Sequence, residues 1–287
     1  MRWRLIAPLL IAALVALPGC SRPRPAPARP ALFVVRDADT VIWLFGTIHA
    51  LPANIAWETP AVRRAIQSSQ MLVTEIARPD SAAISALFLK LARRDGLPPI
   101  IARVPANDRA ALDHAIASAA ESATALNELE TWAAAVTLES SRARAAGATT
   151  ADGVETVLAA RFAGKPQRAL ESAASQLGLF DALSEQDQRR LLARTVEDGG
   201  GYPAALAAWS TGDVAAMAHS NAQLFAGAPE LEVALLTGRN ARWSRWIAGR
   251  MRQPGTIMVA VGAGHLVGPK SVVAMLRARG LKVSRIQ

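Results

Sequence analysis

The chain has very little cysteine, lysine, tyrosine or histidine, and each scarcity narrows what it can be. One cysteine, Cys20, stands in 287 residues, so no internal disulfide can form. There are four lysines, and the formal charge of +9 is carried by arginine. The arginines are spread along helical stretches opposite Glu and Asp rather than gathered in a run interleaved with aromatics. A nucleic-acid partner is therefore not expected. Aromatic residues make up only 5% of the chain against 51% hydrophobic residues. Much of the apolar content is thus small, helix-forming alanine. This composition supports a packed core and points to a helix-rich α/β or α+β protein, as one large domain or two small ones.

No run is long enough to span a membrane. Met1 to Arg4 is basic, and Leu5 to Leu17 is an apolar run of 13 residues. At 1.5 Å per residue that run reaches only about 20 Å against a hydrocarbon core of roughly 30 Å. It reads as the core of a signal peptide covering residues 1–19. Leu17-Pro18-Gly19-Cys20 follows at once and resembles the bacterial lipobox, in which the cysteine is lipidated and becomes the new N-terminus. Ser21 behind it resembles the sorting signal for the outer membrane. The expected location is the cell envelope, anchored to the lipid bilayer through Cys20 and facing the periplasm. The processed chain would carry 30 basic and 23 acidic residues. Residues 20–30 are Pro-rich and are expected to form an extended tether without helix or sheet.

The remainder, residues 31–287, reads as one domain. Ala31–Arg36 and Thr40–Ile48 are β-branched runs around Asp37-Ala38-Asp39, a hairpin signature. Pro60–Gln70 reads as a helix and Met71–Ile76 as a buried strand. A largely helical middle, about residues 80–252, is broken by Pro98, Pro99 and Pro105, with a short strand at Gln167–Glu171. Thr256–Val261, Pro269–Arg279 and Leu281–Ile286 form a strand–helix–strand unit whose strands are expected to be parallel and adjacent. The fold class is α/β, with a central mixed sheet built from the two ends of the chain and a helical insertion between them.

Two elements carry the candidate chemistry. Gly46-Thr-Ile-His49 and Gly262-Ala-Gly-His265 each place a histidine beyond the C-terminal end of a predicted strand, where ligands sit in open α/β sheets. Side by side, those strands would bring His49 and His265 together across 216 positions. Glu75, near the end of another buried strand, needs a metal, a histidine or an arginine as partner. Two histidines and one glutamate match the ligand set of a hydrolytic divalent-metal centre. Glu171 is a site residue or the ion-pair partner of Arg239. Arg239-Asn240 would orient a substrate carbonyl or carboxylate, or else cap or cross-link a long helix. His114 and His219 read as surface residues, and Trp132, Trp209, Trp243 and Trp246 as core anchors. Ser172 and Ser271 lack the setting of a nucleophile, and the Gly262 loop lacks the third glycine of a dinucleotide site.

Phe45-Gly-Thr-Ile-His49, Val73-Thr-Glu75, Leu170-Glu171-Ser172 with Gln176-Leu177, Arg239-Asn240 with Trp243, and Val261-Gly-Ala-Gly-His265-Leu-Val-Gly268 occur in the order of the TraB/GumN family, which the chain resembles from Ala31 to Gln287. That family includes the Tiki-type metalloproteases and is similar in fold to erythromycin esterase and the haem-binding ChaN lipoproteins. The resemblance implies a layered α/β core with its site at the two Gly-x-x-His loops, and peptidase-like activity dependent on a divalent metal. Gly153-Val154-Glu155 stands where the family commonly has Gly-Val-Asp, a longer side chain with the same charge. Three functions follow as expectations. The first is a metal-dependent hydrolase acting on a peptide or small molecule through His49, His265 and Glu75, with Glu171, Arg239 and Asn240 assisting. The second is a metal-free esterase-like hydrolase using a His–Glu pair. The third is an anchored protein that binds haem, a metal or an envelope partner without turnover, Tyr202 or a histidine supplying any haem ligand.

Overall fold

A computed structural model of the protein describes residues 26–76, 81–196 and 201–287. Cys20, the apolar run before it and the lipobox lie outside the described residues. The strands are β1 (Ala26–Pro27), β2 (Leu32–Arg36), β3 (Thr40–Thr47), β4 (Leu51–Pro52), β5 (Ile55–Ala56), β6 (Met71–Ile76), β7 (Ala148–Thr149), β8 (Gln167–Glu171), β9 (Gly255–Gly262) and β10 (Val283–Arg285). The helices are α1 (Pro60–Ser68), α2 (Ser81–Ala92), α3 (Arg109–Ser118), α4 (Ala123–Asn127), α5 (Thr131–Ala145), α6 (Val154–Arg161) and α7 (Ala173–Asp181), followed by α8 (Glu185–Val196), α9 (Gly201–Thr211), α10 (Val214–Leu224), α11 (Pro229–Glu232), α12 (Gly238–Arg250) and α13 (Val272–Ala278).

Six strands form the central sheet in the order β10-β2-β3-β9-β6-β8. The hairpin β2–β3 is antiparallel, and Asp37 shapes its turn by accepting from the N–H groups of Asp39 and Thr40. β3, β9, β6 and β8 run parallel to one another. Such strands are covered on both faces, which explains runs such as Ile257–Val261 with no polar alternation. Ile42, Leu44, Val259 and Val261 pack on one face with Trp243 and Ile247 of α12 and with Leu276 of α13. Phe45, Met258 and Ala260 pack on the other with Val62 of α1, Leu158 of α6 and Trp209 of α9. The helical middle has its own core around Trp132, Leu138, Leu192 and Leu231. The α/β class with a mixed sheet made from the two ends of the chain is what the molecule has. The middle segment also inserts β8 at the edge of that sheet. His114 and His219 are exposed, Trp132, Trp209 and Trp243 are buried, and Trp246 is half-buried.

Two expectations need correction. β9 and β10 point the same way but are not neighbours: β10 pairs antiparallel with β2, and the hairpin lies between them. The connection through α13 crosses over β3 and β2 because β3 and β6 already occupy the two positions beside β9. The Pro-rich segment is also not wholly a tether. Ala26 and Ala28 donate to Asn54 and Ala56, Arg29 donates to Ser210, and Ala28 is buried. Pro27, which has no N–H, falls opposite Ala56 at the position whose N–H would point away from β5, so alternating prolines leave every second residue free to donate to a neighbouring strand.

Candidate active site

The register of β3 on β9 sets Thr47 opposite Gly262, so the two Gly-x-x-His turns leave the sheet side by side. Their histidines nevertheless enter different surroundings.

His265 lies on a single 3-10 turn, Ala263–Leu266, and is buried. Asn240 Nδ2 donates to the Lys270 carbonyl (2.9 Å), so its Oδ1 is the acceptor that meets His265 Nδ1 at 2.7 Å. The proton is thereby placed on Nδ1 and the lone pair on Nε2. Arg239 Nη1 lies 3.1 Å from that lone pair and donates to it. Burial pushes the ring's pKa down, Glu75 raises it and Arg239 lowers it again, for a net value of about 4. His265 is therefore neutral at pH 7.

Arg239 holds the centre of this cluster. Its guanidinium donates to Glu75 Oε2 (2.6 Å) and through Nε to Glu171 Oε1 (2.9 Å), with a second bond from Nη2 to Glu171, and it lies 4.7 Å from the ring centroid of Trp243. A five-residue π-helical turn, Val233–Thr237, precedes α12. This inserted turn rotates Arg239, Asn240 and Trp243 inward on one helix, a device found at functional sites. Glu75 is also held by Gln176 Nε2 (2.9 Å) and by the backbone N–H of Gly262, which donates to Oε1 at 2.7 Å. Any Cβ on Gly262 would stand 3.1 Å from that same oxygen. The glycine thus admits a carboxylate rather than a ligand. Burial pushes the Glu75 carboxyl up, but the surrounding positive charges and the Gly262 N–H bring it down to about 2. His265 lends charge only below about pH 4, so at neutral pH the hold on Glu75 comes from Arg239, His49 and the N–H group.

His49 is the opposite case. Its side chain is 70% exposed and its Nδ1 lies 2.8 Å from Glu155 Oε1. Glu155 opens α6, and Thr47 Oγ1 donates to the same oxygen. A Cβ on Gly153 would stand 2.0 Å from the His49 carbonyl oxygen, so only glycine lets the start of α6 come this close. The Glu155 carboxylate raises the His49 pKa to about 9. Among the described residues, His49 Nε2 has no hydrogen-bond partner. The ring borders a cavity of about 300 Å³ lined also by Thr74, Glu75, Glu155, Thr156, Gln167 and Gln176. His265 does not line it.

The candidates Glu75, Glu171, Arg239, Asn240 and His265 are thus brought together in one buried network. His49 stands apart at the cavity, with Glu75 facing both. Arg239 is the partner of Glu171, and Asn240 faces His265 rather than a substrate. Glu155 and Thr47, which orient His49, were not among the candidates, and the only hint was Gly153-Val154-Glu155. Asn221 Nδ2, donating to the Gly264 carbonyl at 2.8 Å, holds the His265 turn and has no sequence signal at all. Tyr202 is buried and donates to the Ala50 carbonyl, while Ser172 and Ser271 cap α7 and α13. A divalent ion does not fit the residues as arranged. His265 Nε2 and Glu75 Oε2 both face a guanidinium, which a second cation would have to displace. Among the described residues, no three His, Cys, Asp or Glu side chains are grouped to hold a metal.

The sheet, the layered helices and the two Gly-x-x-His turns joined through a buried arginine define a class of α/β protein with a polar site at its strand ends. Within that class the chain belongs to the TraB/PrgY/gumN family, whose model matches residues 31–285. No curated protein and no solved structure gives a match.

The buried network predicts acid sensitivity with a defined window. His265 titrates at about 4 when folded and near 6.5 when unfolded, so the unfolded chain binds the extra proton between those values. The His265 contribution is present in full above pH 6.5 and falls by about 3 kcal/mol as the pH drops to 4, whereas His49, held near 9 when folded, works in the opposite direction and only above 6.5. Below 4.5 the unfolded chain also takes up a proton at Glu75, which stays ionised in the folded protein down to about 2, and this adds to the loss. Urea denaturation at pH 6.5, 5.5 and 4, where His49 is protonated throughout, measures this, and a His265→Asn variant should lose most of the slope above pH 4.5. A wild-type midpoint unchanged from 6.5 to 4 contradicts the neutral, buried His265.

Proposed function

We propose that the protein is a metal-independent hydrolase in which His49, backed by Glu155, moves the proton. The observation that carries this reading is the His49–Glu155 pair at the cavity, its Nε2 without a partner among the described residues. A carboxylate on Nδ1 fixes the tautomer that leaves a lone pair on Nε2 once the ring is neutral, and it raises the basicity of that lone pair. The neutral ring takes a proton from a water molecule as the water oxygen bonds to the substrate's carbonyl carbon. The same Nε2–H then protonates the leaving oxygen or nitrogen as its bond to that carbon breaks. Arg239, Glu171, Asn240 and His265 are positioning residues in this scheme. They hold Glu75 and the Gly262 turn against the cavity floor.

This mechanism fixes the direction of the pH dependence. At pH 7 His49 is mostly protonated, so turnover of p-nitrophenyl acetate should rise with pH along a limb with its midpoint near 9. Glu155→Gln should move that limb down towards 6.5, the ordinary histidine value. His49→Ala should lower kcat/KM about 100-fold or more, and chelator should change nothing. Loss of turnover in chelator with recovery on adding zinc would make this a metal enzyme instead.

We further propose that the chain is lipid-anchored at Cys20 and faces the periplasm from the outer membrane. The support is the sequence Leu17-Pro-Gly-Cys20-Ser21 directly after the 13-residue apolar run. Cys20→Ala should move the protein from the membrane fraction to the soluble fraction, and an unchanged distribution would refute the anchor.

A further inference from the structure

The sheet ends on one side at β8, and β8 borders the cavity through Gln167. Its residues Gln167, Arg168 and Ala169 are exposed. Leu72 N–H donates to the Pro166 carbonyl, and the parallel register Leu72↔Gln167 through Ile76↔Glu171 then fixes the parity of the strand. Arg168 and Leu170 turn both backbone groups towards β6, whereas Gln167, Ala169 and Glu171 turn theirs away from the sheet. Among the described residues, those outward N–H and C=O groups of Gln167 and Ala169 have no hydrogen-bond partner. An exposed edge of this kind pairs with an added strand unless charge, proline or a covering element blocks it. Here the outward positions carry no proline, and Arg168 is the only charge among the exposed three.

We infer that the substrate is an extended peptide that binds as a seventh strand along β8. Main-chain hydrogen bonds to Gln167 and Ala169 would supply the affinity, and side chains at alternate positions the selectivity. Those pointing to the α6 side of the sheet enter the cavity beside Gln167, Thr156 and Ala159. Gln167, Thr156 and Ala159 at that end of the cavity are uncharged, so an uncharged residue is selected there. A small ester needs only His49 and the cavity, whereas a peptide needs the edge as well. This inference rests on the hydrolase reading for turnover but not for binding.

The test uses fluorescein-labelled dodecapeptides spanning β-casein, with binding to the full-length protein followed by anisotropy. Peptide binding is expected. In the tightest binder, N-methylation of alternate backbone nitrogens should weaken binding about tenfold at one parity and little at the other, the value of one hydrogen bond. Ala169→Pro removes an outward N–H without touching the ladder to β6, and a proline is tolerated at such an edge position. It should weaken peptide binding about tenfold while leaving p-nitrophenyl acetate turnover unchanged. The inference is overturned if no peptide binds, if both methylation parities behave alike, or if Ala169→Pro binds peptides as the wild type does. Parity-dependent binding without any hydrolysis would instead sink the hydrolase reading and leave the peptide edge standing.

Discussion

One cation holds the strand ends of this protein together. The Arg239 guanidinium is buried among two carboxylates and an imidazole, drawn from β6, β8 and the turn after β9, while Arg239 itself comes from α12. In a low-dielectric interior each carboxylate is costly without a partner, and so is the arginine. The planar fork of donors answers all three groups at once, as a lysine could not. Removing it would leave two buried charges uncompensated, a loss of about 3–5 kcal/mol in comparable cases. The geometry of the site is therefore set by a buried ion network that meets the cavity through Glu75.

That network separates two histidines that look alike in sequence. Both follow a strand, and both stand three residues after a glycine. His265 is neutral because it is buried against a cation, with Asn240 fixing its tautomer. His49 is charged at neutral pH because the Glu155 carboxylate is paired with it. Two titratable groups of one type are driven apart by their surroundings, which supports the proposed assignment of structure to His265 and proton transfer to His49.

Much of this was legible in the sequence, and the rest was not for identifiable reasons. The hairpin β2–β3, the strands β6 and β9 and helix α1 announce themselves through β-branched runs, the Asp37 turn and the Pro60 start. The partner of Glu75 was open between metal, histidine and arginine, because spacing cannot say which of three distant groups arrives first. Glu155 was missed since His49 and Glu155 meet only when α6 folds back over the sheet, a contact 106 positions long that leaves no local pattern. The adjacency of β9 and β10 failed because a strand–helix–strand unit fixes direction and handedness but not how many strands it crosses. The tether was overextended because alternating prolines still leave every second N–H free to pair.

The account stands on the two imidazoles being in opposite charge states, with Arg239 and Glu155 as the causes. Nitrogen-15 chemical shifts of the ring nitrogens, followed from pH 4 to pH 10, read this directly. The prediction is a midpoint near 9 for His49, and for His265 a ring that stays neutral down to about pH 4 with its proton on Nδ1. Midpoints close to 6.5 for both rings would contradict it.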